Sequence, residues 1–396
     1  MPGEIDLRQT QELSLSSSYA ELQDRFRDTA VRDLLWLLAS PGLLRAGAAQ
    51  IPQALAEVAP ERWQAILDLL RAYDAQPARL HERLAGSPQK RLGHYAEQLL
   101  AFFLGEGVLG RLIAANLPLR RASLTLGECD FLLEGHGGER LHWELAVKCY
   151  LYVDEPGAES AEAAPATAAH DAAPVAAGTD YSSLARYVGP NLADRFDLKL
   201  SRMVGHQLPL SARPEFRALV AGGPWQAELF LRGWLFYPLA PQRAAACRIP
   251  ALLNPQHMRG WWASFGDWQR GLDALDAEAW MILPRLEWMA QRRFEVARVS
   301  ADGLLDAAGM GARLAAHFGL VAAARADAEG PAMPQLTHAS GRDLKPAGPW
   351  LIAGLKRDGA AWVECTRGFV VDDDWFARAR VYAASLQPGK AIQPDL

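Results

Sequence analysis

The sequence predicts an α/β protein, elaborated towards α+β. An α-β-β-β-α-β succession is expected over residues 88–240, after a helical region at 18–87 and before an α+β region at 241–396. Three observations carry that expectation. Apolar residues recur near i, i+3 and i+4 spacing between Tyr19 and Leu104, as in helices that bury one face. Leu126–Glu134 and Leu141–Leu151 are apolar runs on either side of Gly135-His136-Gly137-Gly138, the pattern of two strands joined by a turn. Leu192–Gln207 returns to helical spacing, and Glu228–Tyr237 (ELFLRGWLFY) then has the aromatic, apolar content of a long strand.

Taken in order, residues 1 to about 17 read as a disordered lead. Tyr19–Leu38 is the first helix, with Leu34, Leu35, Trp36 and Leu37 as a buried turn, and Ser40-Pro41-Gly42 stops it. Pro60–Ala75 is a second helix with proline at its start. Pro77–Leu84 is a short third, and Ser87-Pro88 opens a fourth that runs to Leu104. The first strand is expected near Leu117–Leu124, ahead of the central hairpin. Residues 154–180 shift to Ala, Pro, Gly, Glu and Ser with almost no large apolar side chain, so a disordered insertion is expected there. Order resumes at Tyr181, and Asn191 of Gly189-Pro190-Asn191 is placed to cap the helix that follows.

Past residue 240, Trp261, Trp262 and Trp268 stand close together beside Arg259. Such aromatics stack nucleobases in some proteins; a structural tryptophan cluster is the commoner outcome. Trp280–Met289 reads as a strand and Ala301–Phe318 as a helix. Trp350–Lys356 and Ala361–Thr366 read as a hairpin across Arg357-Asp358-Gly359. Asp372–Leu386 is a closing helix whose leading aspartates suit the positive end of its dipole.

Composition narrows the function. The chain has 396 residues, half of them hydrophobic, a net charge of −5 and a pI near 6.0. A strongly basic nucleic-acid binder is excluded, and contact with DNA or RNA would need a local patch. The four cysteines, Cys129, Cys149, Cys247 and Cys365, are scattered without metal-ligand spacing, which suits free thiols in a reducing cytosol. A polar, acidic N-terminus and the lack of an apolar run near about 18 residues favour a cytoplasmic protein with no membrane contact. No P-loop, dinucleotide fingerprint or Gly-x-Ser-x-Gly elbow is present, and His94, His142 and His206 are scattered enough to read as structural. The oligomeric state leaves no trace in the sequence.

The chemistry concentrates between Thr125 and Tyr150. Alternate strand residues share a face, so Glu128 and Asp130 point one way on the first strand of the hairpin, and Glu144, Ala146 and Lys148 share a face on the second. Carboxylates converging in this way can hold Mg²⁺, and a lysine beside them can steady a developing anion. On the helix before the hairpin, Glu97 lies among Leu99, Leu100, Phe102 and Phe103, where the plain reading is a solvent-facing glutamate. On the helix after it, Arg195, Lys199 and Arg202 form a basic stripe, diluted by Asp194 and Asp197, that is either a solvated face or a surface for nucleic acid.

Gly127-Glu128-Cys129-Asp130, a hairpin, and Glu144-x-x-x-Lys148 together resemble the PD-(D/E)XK nuclease superfamily. The stretches His142–Lys148 (HWELAVK), Tyr187–Asn191 (YVGPN), His206-Gln207-Leu208 and Arg259–Trp262 (RGWW) are similar to an uncharacterised bacterial family of unknown function assigned to that superfamily, and the resemblance covers most of the chain. It implies a restriction-endonuclease-like αβββαβ core. It also implies Mg²⁺ or Mn²⁺ held by Asp130 and Glu144 with Glu128 or Glu97, Lys148 and Gln207 at the reaction centre, and phosphodiester hydrolysis as the activity. One position departs from the pattern. The superfamily carries its acid two residues before the lysine, where this chain has Ala146, and Glu144 lies two residues further back on the same face. Ala146 and the acidic net charge favour the alternative, a binding or scaffold protein that keeps the fold without the chemistry. A third reading is a partner-dependent subunit that uses the 154–180 stretch as a tether.

Overall fold

The computed structural model describes residues 15–154, 181–296, 303–322, 336–338 and 348–385. Most of the expected disordered lead and nearly all of the expected 154–180 insertion lie outside the described residues; the last residues of that lead, from Leu15, are already helical.

The N-terminal region is helical, as its apolar spacing predicts. The helix expected over Tyr19–Leu38 is two, α1 (Leu15–Gln23) and α2 (Thr29–Ala39). Asp28 separates them: its carboxylate accepts from the Ala30 and Val31 N–H groups at 3.0 and 3.1 Å, which caps α2 and starts a new direction. Helices α3 (Pro60–Ala75), α4 (Ala78–Ala85) and α5 (Leu92–Gly105) follow where expected. Next come strands β1 (Arg111–Arg121), β2 (Leu124–Glu134), β3 (Arg140–Tyr152) and the short β4 (Tyr187–Val188), helices α6 (Phe196–Arg202) and α7 (Pro214–Leu219), and the long strand β5 (Trp225–Pro238).

The C-terminal region contributes α8 (Pro241–Ala245), β6 (Met258–Ser264), α9 (Phe265–Leu275), β7 (Ala279–Ile282), β8 (Arg293–Glu295) and α10 (Ala307–His317). It ends with β9 (Leu320–Ala322), β10 (Leu336–His338), β11 (Trp350–Asp358), β12 (Ala361–Val371) and α11 (Trp375–Ser385). The strand expected over Trp280–Met289 is cut short by Pro284, and residues Arg285–Glu287 form a 3₁₀ turn instead.

One mixed sheet runs through both regions in the order β1-β2-β3-β5-β6-β12-β11-β7, with β4 on β3 and β8 on β12. The C-terminal strands therefore extend the hairpin's sheet and are not a layer packed on it. Strands β1, β2 and β3 are antiparallel neighbours, whereas β3, β5, β6 and β12 run parallel. In β3 the odd residues Trp143, Leu145, Val147, Cys149 and Leu151 face the core built by α2 and α5. The even residues Ala146, Tyr150 and Tyr152 face a second core that includes Phe196, Leu200 and Met203 of the α6 region. Both faces of the strand are covered, so it reads as one apolar run instead of an alternation.

The three tryptophans of Met258–Trp268 are structural. Trp261 packs edge-on to Trp280, as does Trp268, and all three side chains are buried. The Trp262 indole N–H donates to the Tyr152 carbonyl at 2.8 Å, and that of Trp375 to the Pro190 carbonyl at 2.7 Å, so the RGWW and VGPN stretches tie distant parts of the fold together. A buried charge network does the same for the helical region. Asp33 on α2 accepts from Tyr95 Oη at 3.0 Å, the Ala290 N–H at 3.1 Å and the Arg292 guanidinium, while Glu364 on β12 pairs with Arg367 and accepts from the Arg292 N–H. Among the described residues no helix is long and apolar enough to cross a membrane.

Candidate metal centre

The centre lies where the β2–β3 ladder opens. Backbone pairing runs from Glu134↔Arg140 to Phe131↔Trp143 and stops there. Side chains then take over the bridging. Asp130 Oδ2 accepts from the Leu145 N–H at 2.8 Å, and the Asp130 N–H in turn supports the Glu144 carboxylate. The two acids are thus neighbours across the two strands, each accepting from the other strand's backbone.

Glu144 is fully buried, and both of its oxygens are engaged. Its Oε1 is 2.8 Å from His142 Nε2, and its Oε2 accepts from Gln207 Nε2 at 2.8 Å. His142, two residues back on the same strand face and also fully buried, has its other ring nitrogen 3.0 Å from Ser211 Oγ. Gln207 reaches Glu144 because α6 does not continue as expected. At Met203 the helix widens into a π turn over Met203–Gln207, followed by a 3₁₀ turn over Leu208–Ala212. Such widenings are frequent at functional sites. The helix also begins later than predicted, with Arg195 and not Asn191 at its cap position, after Leu192 adopts a left-handed backbone (φ 52°).

A glycine makes room for this turn. A Cβ on Gly127 would stand 2.8 Å from Leu210 Cδ1, so the 3₁₀ turn packs closely on the head of the Gly127-Glu128-Cys129-Asp130 stretch, and a larger residue there would displace the end of the Leu210 side chain.

The electrostatics are unusual for carboxylates. Burial, then the charge of Glu144 and that of Glu97, raise the Asp130 pKa well above the usual range, against the Leu145 N–H and Lys199, which lower it. Burial raises Glu144 likewise, against the Asp130 N–H, Lys199 and Gln207. Burial drops the His142 pKa to about 4, so its ring is neutral near pH 7. Among the described residues neither Asp130 nor Glu144 has a lysine or arginine as ion-pair partner. The nearest compensation is Lys199, whose Nζ donates to Gln207 Oε1 at 3.3 Å.

The other expected residues fall at different distances from this pair. Lys148 shares the strand face but is ion-paired with Asp194, whose Oδ2 also accepts from Tyr150 Oη at 3.3 Å. Glu97, half-buried on α5, is 3.1 Å from His94 Nδ1, and its charge reaches Asp130. Glu128 is exposed at the edge and acts on Glu144 only through its charge.

The basic stripe is not a stripe. Arg195 is fully buried in a two-pronged pair with Asp197, both contacts at 2.7 Å, and donates to the Ala383 carbonyl at 2.9 Å, so it is a structural clamp and not a nucleic-acid contact. Lys199 belongs to the centre, and Arg202 alone of the three is exposed. Sequence reading missed His142 and Cys129 as partners of Glu144. The His-x-Glu alternation on one strand was the available signal for the first; the second depends on how the two strands twist past each other.

Fold and centre together define a mixed α/β protein with a carboxylate pair, one member buried and the other half-buried, at the open end of a strand ladder. By sequence the chain belongs to DUF1853, a domain of unknown function, whose family model matches residues 32–371. No curated protein and no solved structure matches the chain.

Proposed function

We propose that this protein is a divalent-metal-dependent phosphodiesterase acting on nucleic acid, with a core of the PD-(D/E)XK kind. The observation that carries the reading is the Asp130–Glu144 pair: a half-buried and a fully buried carboxylate on neighbouring strands, with no lysine or arginine ion-paired to either among the described residues. Like charges are brought together in this way at a cost, which a hard cation such as Mg²⁺ or Mn²⁺ offsets because carboxylate oxygens are its preferred ligands. The donor set therefore fits the ion. When bound, the ion would polarise a phosphoryl oxygen and lower the pKa of a water.

The chain's own residues have separate tasks in this reading. Asp130 and Glu144 hold the ion, Gln207 fixes the orientation of Glu144, and Lys199 limits the local negative charge through Gln207. Lys148, about 29% exposed at the mouth, is the cation available to a substrate phosphate once Asp194 releases it. Arg202 can contact backbone phosphate from outside. The α5-β1-β2-β3-α6-β5 order supports the same reading.

The Lys148–Asp194 pair and the buried methyl of Ala146 favour a second reading, a protein that binds through this fold without cleaving. One experiment separates them. A mixed pool of single- and double-stranded DNA and RNA is incubated with Mg²⁺ or Mn²⁺ and wild type or Asp130→Asn. Cleavage by wild type that is lost in a folded Asp130→Asn supports hydrolysis. A wild type that cuts nothing with either metal, and melts at the same temperature with or without them, removes it.

A further inference from the structure

Besides its acidic neighbour, Glu144 has two others that a magnesium site does not use. The Cys129 thiol, a ring nitrogen of His142 and a Glu144 carboxylate oxygen all lie within 4.8 Å of one another, and all three residues are buried. We propose that these three residues form a site for a borderline divalent transition metal, zinc foremost. The proposal goes beyond the hydrolysis reading and shares with it only one ligand, Glu144, and the Gln207 that orients it.

Three features carry it. The first is the donor set. Zinc takes thiolate sulfur at about 2.3 Å, imidazole nitrogen at about 2.0–2.1 Å and carboxylate oxygen at about 2.0–2.2 Å, and three protein ligands with one open position are the pattern of a reactive zinc site. Magnesium avoids sulfur and seldom takes imidazole, so this trio discriminates between the two ions.

The second is spacing. Donors of one tetrahedral zinc stand about 3.3 Å apart or more, as those bond lengths require. His142 Nε2 and Glu144 Oε1 are 2.8 Å apart in a hydrogen bond, so the ligands need to part by only about half an ångström to admit the ion.

The third is support from behind. The second ring nitrogen of His142 is held at 3.0 Å by Ser211 Oγ, and the second oxygen of Glu144 at 2.8 Å by Gln207 Nε2. Metal ligands are ordinarily oriented by outer partners of this type. Cys129 also packs near Leu119, Leu132, Leu210 and Phe216, so it fills space as a small apolar residue does, but packing alone does not explain a thiol turned towards a histidine and a glutamate.

The test uses the full chain and Co²⁺ as a spectroscopic stand-in for zinc. Wild type is expected to give the near-ultraviolet band of a thiolate–Co²⁺ bond, bleached by Zn²⁺ and not by a large excess of Mg²⁺. Cys129→Ser should lose that band and bind zinc at least about a hundredfold more weakly, while keeping any Mg²⁺ or Mn²⁺ response that depends on Asp130. Should the serine variant fail to fold, X-ray absorption on zinc-loaded wild type gives the same information, with one sulfur neighbour at about 2.3 Å expected. A wild type without the cobalt band, a band that survives in Cys129→Ser, or a zinc shell with no sulfur overturns the proposal. None of these outcomes bears on whether Mg²⁺ supports cleavage, so the two readings fail separately.

Discussion

Replacing Asp130 by asparagine should make the metal-free protein more stable, and increasingly so as pH rises. Asparagine keeps an oxygen to accept from the Leu145 N–H, so the bridge between strands survives. The substitution removes a carboxylate whose pKa is raised in the folded state, chiefly by burial and then by Glu144. The sign follows from linkage. Between the unfolded carboxylate range, about 4, and the raised folded value, the folded chain holds a proton that the unfolded chain has released. Stability therefore falls with rising pH by up to about 1.4 kcal/mol per pH unit for each proton held. With an unfolding entropy of about 2.1 cal/mol/K per residue, 396 residues convert that slope to about 1.5–2 °C of melting temperature per pH unit.

The raw wild-type curve is not the measurement to read. His142 and His257, both pushed down to about 4 by burial, act in the opposite sense, since their unfolded forms take up protons below about 6.5 and stability from them rises with pH up to there. The difference between variant and wild type cancels the His257 contribution and the burial part of that of His142, leaving only the smaller effect of the Asp130 charge on His142. Denaturant titrations of both proteins in chelator, at half-unit steps from pH 4.5 to 7.5, should give a difference that starts near zero and grows in favour of Asp130→Asn. Saturating Mn²⁺ should abolish or invert it, because only wild type gains by mass action. A flat difference, or a variant that is less stable throughout, would refute the picture of a desolvated Asp130 repelled by the buried Glu144.

Two further outcomes are expected. Lys148→Ala breaks an ion pair whose side chains are 29% and 34% exposed, so stability should change by no more than about 1 kcal/mol, while any cleavage rate should fall on the order of 10²-fold with little change in nucleic-acid affinity; a large loss of melting temperature with unaltered cleavage contradicts this. Asp33→Ala leaves buried Arg292 with only the longer Glu287 contact at 3.8 Å, and strips the Tyr95 hydroxyl and the Ala290 N–H of their acceptor, so it should cost about 3 kcal/mol in a denaturant titration; a loss under about 1 kcal/mol would mean that the network between α2, the 283–292 segment and β12 is not a support.

The hairpin was legible in the sequence because its turn is four residues of glycine and histidine between two apolar runs, which set Asp130 and Glu144 on neighbouring strands. Helix α3 was legible from its proline start and its Trp63, Ile66 and Leu70 spacing. The extension of the sheet was not. Strand β6 is short and aromatic, and its partners are β5 and the far-removed β12, so nothing local distinguishes it from a tryptophan cluster. The π turn escaped for a related reason: it is set by the packing of Leu210 on Gly127 and by the pull of Glu144 on Gln207, both of them contacts between distant residues. Arg195 was misread because a charge at helical spacing looks solvated, and only the fold shows that Asp197, two residues on, and the Ala383 carbonyl enclose it.

The continuity of the sheet has a bearing on how the chain is made. Strand β5 borrows one neighbour, β3, from residues already synthesised, and the other, β6, from residues still to come. Strand β6 in turn waits for β12, more than a hundred positions later in the chain. A nascent polypeptide that ends near residue 240 therefore carries an open edge of β5, rich in phenylalanine and tryptophan, with unsatisfied backbone donors and acceptors. Pairings of such long range form slowly and leave intermediates that associate with one another. Expression of the segment up to residue 240 alone would reproduce that state permanently, so the region that holds the carboxylate pair depends for its solubility on strands that contribute nothing to the pair itself.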